Sequence, residues 1–472
     1  SGHTVAGMRR GSGLTPPAAG EGGLPLPLPR SCSVQSAPRP PASAQPAQRQ
    51  RCWKGSPQPG GDAARLTGLF GAWLAYTWGS RGRLQAVTQC PARSAKKEER
   101  QRAHAARVGI NKEIAAARTA EEVLAISGSR LDEFDGFNVA SAIRCVAAAK
   151  GGRSLLKDER FTCLIERSSA SAGTMKAKNL ASIAWSCAQL RVRHQHLMDA
   201  LSSASRLKID SGTDPFSPQQ LSLMAWAWAK LAVTDATLLQ SIAAESIAKC
   251  SDFEAAELSS TAWAYAKLAC AHSGPLMEAI ASASISKIQE FMPRLISNTA
   301  WAFATLAFAD GPLLDSIASA AIRKIRQFEG QGIANTAWAF ARLGCQHLPL
   351  LTAISAQALS SMGDFQPQGI VNLVWAFAKL DFANGPLLDA ISAASQSSMR
   401  QFQTQWLSNT AWSFATLSVE DMPLFEAISA ASLARISSFN SQDLSNPAWS
   451  FASLCFHDAP LIDALSFATI TK

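Results

Sequence analysis

The chain has 472 residues, 47% hydrophobic and 17% charged, a balance that excludes disorder throughout and leaves ample apolar material for a core. The formal charge of +9 suggests a nucleic-acid partner, but residues 1–95 carry 11 Lys or Arg against Glu21 and Asp62, while residues 96–472 hold 33 bases and 33 acids. The body is electroneutral, which excludes capture of a phosphate backbone by a global positive field and leaves that work to a local basic stripe.

Residues 1–102 read as a disordered, basic extension. They are rich in Pro, Gly, Ser, Ala and Arg, as in PPAAGEGGLPLPLPRS, and poor in acids. Such a composition cannot pack a core, and at an amino terminus it matches an organelle-targeting sequence. Its one apolar run, Leu66–Trp78, is too short to cross a bilayer, so no membrane span is expected. The ten cysteines are scattered singly without a C-x-x-C pair and read as reduced thiols.

Residues 103–170 predict a divergent helical cap. Thr119 with Glu122 fits a capping box ahead of VLAI, and FNVASAIRCVAAAK at 137–150 aligns with KNLASIAWSCAQL at 178–190 as a degenerate repeat in which Arg144 replaces a tryptophan.

Residues 171–472 carry tandem repeats. Trp185, Trp226, Trp263, Trp301, Trp338, Trp375, Trp412 and Trp449 recur, in all but the first interval, every 37 or 38 residues. Phe216 to Phe439 and Pro275 to Pro460 form two further columns of the same period. A period in this range marks a solenoid. Each unit predicts two helices. The first, for example ISNTAWAFATL, is apolar nearly all round and so is expected to be buried. The second, for example GPLLDSIASAAIRKI, opens at the recurring Pro as first helical residue, with an acid such as Asp315, Asp389, Glu426 or Asp463 in its first turn. The fold class expected is all-α, an α-solenoid of stacked antiparallel helical hairpins. The pattern reaches Lys472 without the polar outer face of a terminal repeat, so the last repeat is expected to be truncated.

Two polar columns are candidate binding positions. Four residues after each Trp stand Gln189, Lys230, Lys267, Thr305, Arg342, Lys379, Thr416 and Ser453. Three before it stand Ser182, Leu223, Ser260, Asn298, Asn335, Asn372, Asn409 and Asn446. Seven residues apart is one helical face, so amides for base edges would lie beside cations for phosphates. The alternative is an Asn ladder bonded internally between repeats, with the cations merely solvating helix ends. The Trp and Phe rings are expected in the core rather than as base-stacking platforms.

The segment FSPQQLSLMAWAWAKL at 216–231, together with the period, resembles the octotricopeptide repeat family. The chain is also similar to the helical repeats of FAST-kinase-like proteins and of subunits of the mitochondrial RNA-editing substrate-binding complex. The resemblance implies an organellar protein that binds single-stranded RNA in processing, stability or translation, in the mitochondrial matrix ahead of the plastid. Protein subunits of an RNA-processing complex are the other implied partners, and a scaffold without direct RNA contact is the alternative function. No phosphate loop, nucleophile elbow or H-E-x-x-H helix occurs, so neither an enzyme nor a cofactor is expected. His194 and His196 form an HQH in an expected loop, without partners at metal-ligand spacing.

Overall fold

A computed structural model describes residues 91–270 and 273–471. The targeting extension therefore lies largely outside the described residues, except from Pro91, where the first helix begins. Residues Gln101–Lys472 belong to one compact unit; of the segment Pro17–Arg100, which forms another, the described part is the start of that helix. Among the described residues every regular element is helical.

Four helices come first: α1 (Pro91–Ala116), α2 (Ala120–Arg130), α3 (Gly136–Ala148) and α4 (Glu159–Ser171). Eight hairpins follow: α5 (Ala177–Leu190) with α6 (Gln195–Ser211), α7 (Pro218–Leu231) with α8 (Ala236–Ala248), α9 (Ala255–Lys267) with α10 (Gly274–Lys287), and α11 (Pro293–Thr305) with α12 (Gly311–Lys324). The last four are α13 (Gly330–Arg342) with α14 (Leu348–Ser360), α15 (Pro367–Lys379) with α16 (Gly385–Ser398), α17 (Thr404–Thr416) with α18 (Met422–Leu433), and α19 (Ser441–Ser453) with α20 (Ala459–Thr471).

From α3 onward the odd helices pack side by side as one layer and the even helices as a second, giving the all-α solenoid. The odd helices approach one another more closely. Small residues permit this approach: Ala300, Ala302 and Ala304, and likewise Ala337, Ala339 and Ala341, are fully buried. The even helices bury larger side chains such as Leu313, Leu314 and Ile317 alongside Ala318, Ala320 and Ala321.

Each odd helix from α5 to α19 ends in one left-handed residue: Arg191, Ala232, Ala269, Ala307, Gly344, Asp381, Ser418 and Cys455, with φ between 49° and 68°. The next N–H reaches back to the helix, as Phe308 N to Phe303 O at 2.9 Å, and the two rings meet at 5.8 Å. This bond pattern with its apolar contact is a Schellman stop, and it turns the chain after the same residue in every repeat.

The second helices start differently from expectation. Gly311, Gly385 and their counterparts occupy the first position, so the recurring Pro is second, where its missing N–H still costs no bond. Asp315 and Asp389 lie beyond the first turn, which holds no acid. The cap comes from upstream: Asp310, Asn384, Asp421 and Asp458 each accept the N–H three residues on, at 2.8–3.1 Å. An N-cap acceptor satisfies one of the orphan donors directly. In the leading region Thr119 accepts Glu122 N at 3.2 Å, and the Glu122 carboxylate returns to Arg118 N at 2.7 Å.

Each unit closes at the marker Phe, which a short 3-10 turn precedes from Phe253 onward and which is 7% exposed or less in all seven positions from Phe216 to Phe439. A basic residue from the following repeat seals that turn. Lys249 Nζ donates to Phe216 O at 2.7 Å, Lys287 Nζ to Phe253 O at 2.7 Å, and Lys324 Nζ to Phe291 O at 2.6 Å. Arg435 makes the equivalent bond to Phe402 O. Ser361 and Ser398 occupy the same position in the two repeats between.

Candidate nucleic-acid interface

On a helix of 100° per residue, positions three before and four after the Trp fall within about 60° of the Trp itself. All three columns therefore share one stripe on the odd helices. It is the part of those helices that reaches solvent: Trp301, Thr305 and Asn298 are half-buried, while the residues between them are buried. The expectation of first helices buried all round holds for the middle of α5 to α17 outside this stripe, whereas Ala448 and Ala452 of α19 are exposed.

The amide column is polar and unspent. Asn298, Asn335, Asn372 and Asn446 are half-buried and Asn409 is 8% exposed. None of these five side-chain amides donates or accepts a hydrogen bond among the described residues. No internal ladder forms, so each amide keeps both donor and acceptor capacity for a partner in solvent.

The column of cations divides. Lys267 and Lys379 are exposed. Lys230 is half-buried and already engaged by the protein. The Arg342 guanidinium lies 6.0 Å from the centre of the Trp338 ring, at the limit of a cation–π contact. Thr305 and Thr416 do not present their hydroxyls to the surface: both Oγ1 atoms are buried and have no hydrogen-bond partner. Gln189 is half-buried, and exposed Ser453 donates to Ser450 O at 3.0 Å.

The aromatic residues separate into two sets that the sequence treats as one. Those two positions after the Trp, from Trp228 and Tyr265 to Phe451, are at most 2% exposed and form the core. The Trp column sits at the stripe. Trp226, Trp338 and Trp375 are 4–8% exposed, Trp185, Trp263, Trp301 and Trp412 are half-buried, and Trp449 is 49% exposed. Trp338 and Trp375 of adjacent repeats have ring centres 6.5 Å apart. The expectation of purely core Trp rings is corrected: edges of several border the amides and cations. Their place four before a cation and three after an Asn was the signal that could have shown this.

The histidines do other work. His194 and His347 cap α6 and α14, their Nδ1 atoms accepting Leu197 N at 3.3 Å and Leu350 N at 3.1 Å. The HQH thus opens a helix instead of lying in a loop, and no group of three or more metal-ligating side chains gathers among the described residues. No described helix is long and apolar enough to cross a membrane. Burial pushes the Cys187 thiol up to about 12, which makes it a core residue and not a nucleophile.

No curated protein matches the chain. Among structures, a chain in a homology model of the full-length AP-3 complex in an intermediate open conformation is similar at 12% identity, covering 75% of this chain and 70% of that one, with a TM-score of 0.28. The family of RNA-editing substrate-binding complex 6 proteins matches residues 95–422, from the first turns of α1 to the start of α18. The chain belongs to the RNA-editing substrate-binding complex 6 protein family.

Proposed function

We propose that the stripe on the odd helices binds single-stranded RNA, and that the protein is a non-catalytic subunit of an RNA-editing complex in the mitochondrial matrix. The observation that carries this reading is the ladder of unbonded Asn amides at one position in successive repeats. A repeated amide with both capacities free can address base edges one repeat at a time, as other helical-repeat RNA binders do. Lys267 and Lys379 would meet the phosphates, and the Trp edges would flank the bases. The family name supports the editing complex, and the likeness to octotricopeptide repeats supports base-directed binding. The electroneutral array favours a second reading, a scaffold for protein subunits without RNA contact.

Binding of labelled single-stranded RNA across a salt series separates the two. With Lys267 and Lys379 changed to Ala, affinity should fall alike for all sequences and the salt slope should flatten by about 0.7 for every phosphate no longer neutralised. With Asn298, Asn335 and Asn372 changed to Ala, the preference among RNA sequences should relax while the slope stays. Absence of binding by the unaltered chain at low salt would remove the RNA reading and leave the scaffold.

A further inference from the structure

The stripe does not stop at the first Trp. On α3, Phe137, Ser141 and Arg144 occupy the positions seven before, three before and at the Trp, so they continue the same face into the leading region. There the packing changes. In the layer pattern α1 stands where a preceding odd helix would, yet it approaches α3 less closely than the odd helices approach one another. Asn138 Nδ2 bridges to Arg107 O at 3.0 Å. What remains is an open groove of about 900 Å³ walled by α1, α3 and the start of α5.

The chemistry of this groove differs from the neutral array. It is lined by Arg107, Lys112, Arg144, Lys176 and Lys178. The acid among its lining residues is Asp135, whose carboxylate is occupied in accepting Phe137 N at 3.0 Å and Asn138 N at 2.9 Å. None of the five cations holds an ion pair among the described residues. Beside them the apolar ring of Phe137 is 49% exposed. The Asn111 Oδ1 atom, also on the lining, is buried without a partner.

Converging unpaired cations repel one another and are stabilised by a polyanion; an exposed ring beside them offers a stacking surface that any base can use. We propose that this groove is a sequence-independent anchor for single-stranded RNA, with the five cations holding phosphates and Phe137 stacking a base where the strand enters the stripe. The groove fixes the strand's position, and the amide ladder then meets its bases. This rests on reading the stripe as the RNA interface.

The test uses the full chain, a fluorescein-labelled oligouridine and its thymidine counterpart. Changing Arg107, Arg144, Lys176 and Lys178 to Gln should flatten the salt slope by about 0.7 for each phosphate left without its cation. Phe137→Ala should weaken binding about five-fold or more without altering the slope, since a stacked base is worth roughly 1–3 kcal/mol. All five changes are at exposed side chains, and an unchanged circular dichroism melt verifies the fold. If the groove variant binds oligouridine as the unaltered chain does while Lys267→Ala with Lys379→Ala weakens it, the anchor is overturned and the stripe stands. If the unaltered chain binds no RNA, both fall. Loss of binding to phosphatidylserine vesicles with RNA binding intact would assign the groove to lipid and also overturn the anchor.

Discussion

A buried hydroxyl with no partner is a local cost that the repeats solve unequally. Ser246, Ser284, Ser395 and Ser432 lie at one position of the second helices, each buried with Oγ lacking a hydrogen bond. Ala321 and Ala358 fill the same position in two repeats and are fully buried. The site therefore accepts a methyl group without rearrangement. Ser395→Ala is expected to raise stability by about 1 kcal/mol, because an unsatisfied buried hydroxyl costs roughly that or more. Chemical denaturation measures it, and a lower midpoint would mean that Ser395 finds a partner. This column reads in the sequence as a run of small residues, and no pattern distinguishes a paired from an orphaned serine.

At the scale of the element, the inter-repeat clamp carries a burden that periodicity concealed. The marker Phe and Trp columns are large residues at nearly constant spacing, so both hairpins and turns were legible. The clamp column reads Lys249, Lys287, Lys324, Ser361, Ser398 and Arg435, and its interruption by two serines hides it. Lys324 donates to both Gln289 O at 2.8 Å and Phe291 O at 2.6 Å, across the boundary between repeats. Lys324→Met keeps the stem and removes both bonds, and should cost about 1.5–3 kcal/mol, the range for a hydrogen bond to a charged group. Ser361→Lys, aimed at the equivalent Phe328 carbonyl, should be neutral or stabilising. A thermal melt of each variant decides: an unchanged midpoint for Lys324→Met would show the clamp to be solvated and idle. The acid expected in the first turn of the second helix is a related case, since Asp315 and Asp310 both fit a helix start and geometry alone selects Asp310 as the cap.

For the whole molecule, the period specified the solenoid but not its wet face. A helix that reads apolar all round gives no orientation, and the Trp residues look like core in any hydrophobicity pattern. Only the packing of the helices leaves Asn298, Trp301 and Thr305 half-buried along one stripe and separates the Trp column from the fully buried Phe303 and its equivalents. The same packing shows which candidate positions are usable: Lys267 and Lys379 reach solvent, whereas the hydroxyls of Thr305 and Thr416 are enclosed. Function on such an array is a property of the ladder and not of any one rung, because each repeat contributes a small, similar interaction.

Ultraviolet crosslinking of the full chain to single-stranded RNA, with the linked peptides mapped by mass spectrometry, decides whether the stripe on the odd helices holds RNA. RNA bound on the stripe should give links that recur with the repeat period on the odd helices, at the Trp column and its Asn and Lys neighbours. Links confined to the even helices, or none above those of an unrelated protein, would contradict it.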